Sequence, residues 1–196
     1  MFLAESWVGS VPFASAIEPA TSGKLPCQTT WTRPRSSAAT SGNQPSGGGE
    51  MTTGSLQAIG PAHVILPDDA YFGSIKLARE IFGPWGMEVS TVDMTKPESV
   101  RSAMRPNTKL VWVETPSNPL LTIVDIAAIV EIAHAGGAAC AVDNTWGTPA
   151  LQRPLDIGAD VSMHSTTKYL AGHGDVLGGA LIFRENGELC QKVCAV

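Results

Sequence analysis

LVWVETPSNP (residues 110–119) decides how the rest of the chain is read. Its first four residues, Leu110-Val111-Trp112-Val113, are all large and apolar, and three of them favour extended backbone. They do not alternate with polar residues. A strand of this kind needs apolar cover on both faces, as in a parallel sheet packed between helices. Working outward, AHVILP (62–67), AACAVDNT (138–145), DVSMHS (160–165) and GGALIF (178–183) read as further strands, and MEVSTVD (87–93) alternates like one. Helix-like stretches separate them. Tyr71 to Phe82 places Ile75, Leu77, Ala78, Ile81 and Phe82 on one side, and Lys96 to Met104 begins with a proline suited to a first turn. Asp125 can cap a helix that runs to His134 and stops at Gly136-Gly137. The pattern predicts an α/β fold with a mostly parallel sheet and helices on both faces.

Composition bounds the function. The chain has 196 residues, 43% hydrophobic and 16% charged, with a formal net charge of −5. An acidic chain without a basic run is a poor match to nucleic acid or an anionic membrane. No apolar stretch is long enough to span a bilayer, and Met1 to Pro12 lacks the basic and apolar regions of a signal peptide. Cys27, Cys140, Cys190 and Cys194 do not form a metal-type set, so no metal is expected and a reducing, cytoplasmic setting follows. Residues 1–50 differ from the rest. Gly, Pro, Ser and Thr make up 24 of the 50. Arg35 to Gly49 holds no large apolar residue with which to offset its ordering entropy. The expected organisation is a low-complexity, disordered segment over 1–50 and a partial large domain, an incomplete α/β unit, over 51–196.

In open α/β sheets ligands bind beyond the carboxyl ends of the strands. Four successive strand ends here are polar: Asp68-Asp69-Ala70-Tyr71, Glu114 to Pro119, Asp143-Asn144-Thr145 and His164 to Lys168. Lys168 is the only lysine between Leu110 and Gln191. A desolvated lysine at such a place can form a Schiff base with a carbonyl, although a lysine at the sheet rim would look the same. Ser165 and Thr167 flank it with hydroxyls that suit either a phosphate or an ordinary turn. Asp143 closes the apolar run AACAV, where a carboxylate needs a cationic or hydrogen-bonding partner. A protonated pyridine nitrogen would serve; so would a helix cap. Gly172 to Gly179 precedes a strand, not a helix, and reads as structural. His164 and His173 lack companions for a metal.

The blocks ETPSNPLLTIVDI, AVDNTWGTPALQRPLDIGAD and HSTTKYLAGHGDVLGG closely resemble the pyridoxal-phosphate enzymes of Cys/Met metabolism, a family that includes cystathionine γ-synthase, the cystathionine lyases and methionine γ-lyase. The resemblance covers residues 51 to 189. It implies the aspartate-aminotransferase-like fold, fold type I, and a homotetramer. It implies that Lys168 forms the Schiff base with pyridoxal 5'-phosphate, that Asp143 pairs with the ring nitrogen, and that Ser165 and Thr167 bind the phosphate. Tyr71 matches the tyrosine stacked on the cofactor ring and joins Lys168 in the catalytic set. Asn118 matches an asparagine near the ring hydroxyl. Gly54 and Ser55 match a phosphate-binding turn.

The sequence also departs from the family pattern. The small C-terminal domain and the arginine that grips the substrate carboxylate are expected to be absent. Residues 1–50 do not resemble the family's N-terminal region, and the interval from Gly54 to Tyr71 looks shortened. The resemblance implies an amino-acid substrate, O-acylhomoserine, cysteine or cystathionine. It favours γ-replacement as in cystathionine γ-synthase over C–S lysis by a β-lyase, γ-lyase or methionine γ-lyase. An inactive truncated fragment is the other expectation for the chain alone.

Overall fold

Apolar runs with no polar face fold as strands only where helices cover both sides, and this governs the arrangement around the sheet. The computed structural model describes residues 28–34, as backbone only, and 55–195. The strands are β1 (Gln28–Pro34), β2 (His63–Pro67), β3 (Glu88–Val92), β4 (Thr108–Glu114), β5 (Ala139–Asp143), β6 (Val161–His164) and β7 (Val176–Phe183). They form one sheet in the order β1-β7-β6-β5-β4-β2-β3. The five strands from β3 to β6 run parallel, while β7 is antiparallel to both β6 and β1.

Side-chain parity divides the core into two layers. Val64, Leu66, Leu110, Trp112 and Ala141 share one apolar cluster. Their alternates, Ile65, Val111, Val113, Cys140 and Val142, belong to the other. Each run is therefore buried on both faces, as the non-alternating pattern requires. Helices α1 (55–59) and α2 (Phe72–Lys76), the latter continuing as a π-helical stretch (Leu77–Phe82), contribute Leu56, Ala78 and Phe82 to the first layer. The opposite layer is closed by α3 (Pro97–Ala103) and α4 (Ile126–Ala135) through Val100, Ile126, Ile129, Val130 and Ile132. As the sequence indicated, Asp125 caps α4 and accepts from the Ala128 amide at 3.1 Å. The chain then turns away at Gly137, whose φ of 74° suits glycine. A short helix α5 (Thr148–Leu151) follows β5, and α6 (Glu188–Cys194) packs Cys190 and Val193 against the first layer.

Two expectations about the N-terminal part need adjustment. β1 lies inside the 1–50 segment read as disordered. Composition averaged over 50 residues concealed QTTWTRP, in which three threonines and a tryptophan all favour extended backbone. The edge of β7 supplies its partner, from Gln28 opposite Ile182 to Pro34 opposite Val176. Arg35 to Gly49 lie outside the described residues. The shortened interval before Tyr71 retains one brief helix, α1, which ends at Gly60 with φ 73° just before β2.

Among the described residues, no helix is long and apolar enough to cross a membrane.

Candidate functional site

The carboxyl ends of β2, β4, β5 and β6 point to one edge of the sheet. From β2 the chain first adds β3 on one side and then crosses to build β4 on the other, so the sheet changes direction between β2 and β4. Ligands of open α/β sheets bind at such switch points. A cleft of about 490 Å³ opens there, within the range of small-molecule sites.

Five sequence-predicted residues line this cleft: Tyr71 after β2, Asn118 after β4, Asp143 at the end of β5, and Ser165 and Lys168 after β6. Three do not. Thr167 is engaged elsewhere: its hydroxyl donates to the Gly178 carbonyl at 3.1 Å and accepts from the Gly178 amide at 2.9 Å, pinning the turn to β7. Ser55 is buried at the start of α1 and is not among the residues that line the cleft. Gly54 lies outside the described residues.

The electrostatics are uneven. Burial pushes the Asp143 carboxyl up to about 6, against hydrogen bonds from Thr145, whose amide donates to Oδ1 at 3.0 Å. A carboxylate in that position gains from any cation brought beside it. The Ser165 side chain is 7% exposed, and its Oγ has no hydrogen-bond partner. An orphaned hydroxyl of this kind is uncommon in a folded protein and marks a place where a ligand oxygen would fit. Its amide is already used, donating to Thr145 Oγ1 at 2.8 Å. Lys168 lies in the turn beyond it, where its amide donates to the Ser165 carbonyl at 3.0 Å. Its side chain is exposed at the cleft, so burial does not supply the desolvation that the sequence reading invoked for it. Trp146 and Tyr169 meet edge to face across 6.1 Å and form an aromatic wall beside it.

Glu114 was missed as a site residue. It ends β4, is 3% exposed and lines the cleft. Its Oε2 accepts from the Tyr71 amide and its Oε1 from the Asn118 amide, each at 2.8 Å. Burial, with Asp143 nearby, pushes its carboxyl up to about 8. The reasoning that singled out Asp143, a carboxylate closing an apolar run, applies equally to the Glu114 of LVWVE. A second set of ties joins the loops. Gln152 Nε2 donates to the Thr115 carbonyl at 2.9 Å and to Asn144 Oδ1 at 2.8 Å, which fixes the loop after β4 to the loop after β5.

Residues 36–196 match the family described as Cys/Met metabolism PLP-dependent enzyme. The chain belongs to this family. Pyridoxal phosphate is the cofactor of the Cys/Met metabolism enzymes, and the fold and cleft fit that assignment. Three similar proteins illustrate the range. A probable cystathionine γ-synthase of Herpetosiphon aurantiacus is 47% identical over 148 residues, which is 76% of this chain and 46% of the relative. A cystathionine β-lyase of Bacillus subtilis is 48% identical over 117 residues, 60% of this chain and 30% of the relative. The solved cystathionine γ-lyase from Micromonospora echinospora superposes with a TM-score of 0.72 at 45% identity, over 76% of this chain and 40% of that one. The chain thus spans less than half the length of these relatives. The similarity supports the transsulfuration branch of the Cys/Met family and does not separate its synthases from its lyases.

The cleft suits the family's cofactor on its own chemistry. Asp143 is a half-buried carboxylate without a cationic partner among the described residues, and Ser165 Oγ is a buried donor without an acceptor. A ring nitrogen carrying a proton and a phosphate oxygen would answer these two needs.

Proposed function

We propose that residues 55–195 form the cofactor half of a transsulfuration site of the cystathionine γ-synthase type, which exchanges the acyloxy group of O-acylhomoserine for the thiol of cysteine at Cγ. The observation that carries this reading is the meeting of Lys168, Asp143 and the unpaired Ser165 Oγ in one cleft at the switch point of the sheet. The γ-synthase relative is matched over 148 residues, against 117 for the β-lyase. Pyridoxal phosphate, when bound, supplies an aldehyde for covalent attachment and a ring that withdraws electrons from a substrate carbon. Asp143 holds the proton on the ring nitrogen. Ser165 donates to the phosphate, and Tyr71 and Asn118 orient the ring and its hydroxyl. Lys168 is the attachment point and, once free, the base that moves protons at the substrate's Cα and Cβ. The indole of Trp146 and the ring of Tyr169 narrow the access of water. The family likeness also supports assembly as a homo-oligomer.

C–S lysis of cystathionine is the second reading, supported by the likeness to the solved γ-lyase. The test begins with the purified chain and pyridoxal phosphate. Visible absorption, borohydride trapping and mass spectrometry should place the label on Lys168, and Lys168→Ala should lack it. A folded chain without label on Lys168 overturns the proposal. With label in place, formation of cystathionine from O-acylhomoserine and cysteine supports the synthase. Cleavage of supplied cystathionine favours the lyase. Labelling with neither activity identifies a cofactor-binding fragment.

A further inference from the structure

Tyr71 and Asn118 stand on different loops, one after β2 and one after β4, 47 positions apart in sequence. Neither loop is a regular element. Side chains on loops hold their position only as well as the backbone beneath them is fixed. The backbone amides of both residues end on the same carboxyl group. Glu114 Oε2 takes the amide of Tyr71, Oε1 takes the amide of Asn118, and both distances are 2.8 Å.

We propose that Glu114 is a positioning residue for the cofactor site, a two-ended clamp that sets Tyr71 and Asn118 against each other across the cleft. This rests on the cofactor reading above. The fixing is rigid at its root, because Glu114 ends a strand whose partner at that level is Asp143. The clamp therefore refers the ring-facing residues to the same strand pair that carries the carboxylate for the ring nitrogen. A neighbouring tie, from Ser117 Oγ to Asp69 Oδ2 at 2.6 Å, joins the same two loops outside the clamp. With Glu114 pushed up to about 8 and Asp143 only to about 6, Asp143 is the carboxylate that carries charge at neutral pH. The clamp adds no second anion beside it.

The test uses the full 196-residue chain and the variant Glu114→Gln. Glutamine keeps the shape but turns one acceptor into a donor facing a backbone amide. Loss of one such bond in a buried site should weaken pyridoxal phosphate binding about tenfold. Label should still reach Lys168, and the induced circular dichroism of the bound cofactor should shrink as the ring loses its fixed setting. Asp125→Ala, which removes the α4 cap outside the cleft, serves as the control for lowered stability and should leave affinity and dichroism unchanged. Binding within twofold of the unaltered chain, with unchanged dichroism, overturns the clamp while leaving the cofactor reading intact. Equal losses in Asp125→Ala overturn it too. Absence of label on Lys168 in the unaltered chain removes the cofactor reading and the clamp with it. If Glu114→Gln does not fold, amide exchange in the unaltered chain decides. The Tyr71 and Asn118 amides should exchange at least about a hundredfold more slowly than free amides and slow further on adding pyridoxal phosphate. Unprotected amides, or no response to the cofactor, overturn the clamp.

Discussion

Raising the pH from 6.5 to 8 should weaken the folded chain by about 2 kcal/mol, and Glu114 is the cause. Its carboxyl sits near 8 in the folded protein against 4.5 for an ordinary glutamate. Between those values the folded state holds a proton that the unfolded state has lost. Stability attached to that proton is fully present below about 4.5 and drains away as the pH climbs towards 8. The slope is about 1.4 kcal/mol per pH unit, so 1.5 units give about 2 kcal/mol. The window isolates Glu114 from its neighbours. Asp143, raised to about 6, has finished most of its own loss by pH 6.5. His164 works in the opposite sense. Burial holds it near 4, so its contribution is lost on acidification and is complete by about 6.5. Urea unfolding followed by far-UV circular dichroism at pH 6.5 and 8 measures the difference, and Glu114→Gln should flatten it. A stability that stays level or rises across this window refutes the reasoning, as does a slope that survives in the glutamine variant.

Two further substitutions separate stability from binding. Gln152→Ala removes the donor that joins Thr115 to Asn144, and two lost bonds with their stranded acceptors should cost about 2–3 kcal/mol. Scanning calorimetry should show the melting point lower by roughly 5–10 °C. Gly73→Ala acts the other way. An added Cβ would sit 2.5 Å from Tyr71 Cε1 and displace that ring, while the first turn of α2 tolerates alanine well. Cofactor affinity by absorbance titration should fall about fivefold, with stability unchanged or raised. Unaltered affinity would mean that the Tyr71 ring does not contact the cofactor.

Much of the fold was legible because a single physical rule wrote it. Leu110 to Val113, Val64 to Leu66 and Cys140 to Val142 are apolar at every position, and only a sheet covered on both sides accommodates that. Asp125 and Gly137 marked the ends of α4 by local chemistry alone. β1 was illegible because its pairing partner lies at the other end of the sequence and its neighbours diluted its composition. The cleft was legible at Asp143 and Lys168, whose residue types are unusual for their surroundings. Glu114 belongs to the same class but acts through backbone amides on two loops, and no motif spacing records which amide a carboxylate will meet. Thr167 shows the converse. Its position in the lysine turn suggested a ligand, but a hydroxyl beside an incoming strand is readily taken up by that strand's own backbone.

The pairing of β1 with β7 also has a consequence in time. Gln28 lies opposite Ile182, so about 150 residues must be added after the first strand before its partner exists. At a translation rate of roughly 5–20 residues per second, β1 waits on the order of 8–30 s beside a growing chain whose β7 edge has not yet been made. The parallel block from β3 to β6 has every one of its strands available before β7 is made, so the earliest of the described strands to emerge is the last of them to be seated. During that interval the threonine-rich ribbon is open to chaperones and to other nascent chains, and any delay in elongation lengthens its exposure.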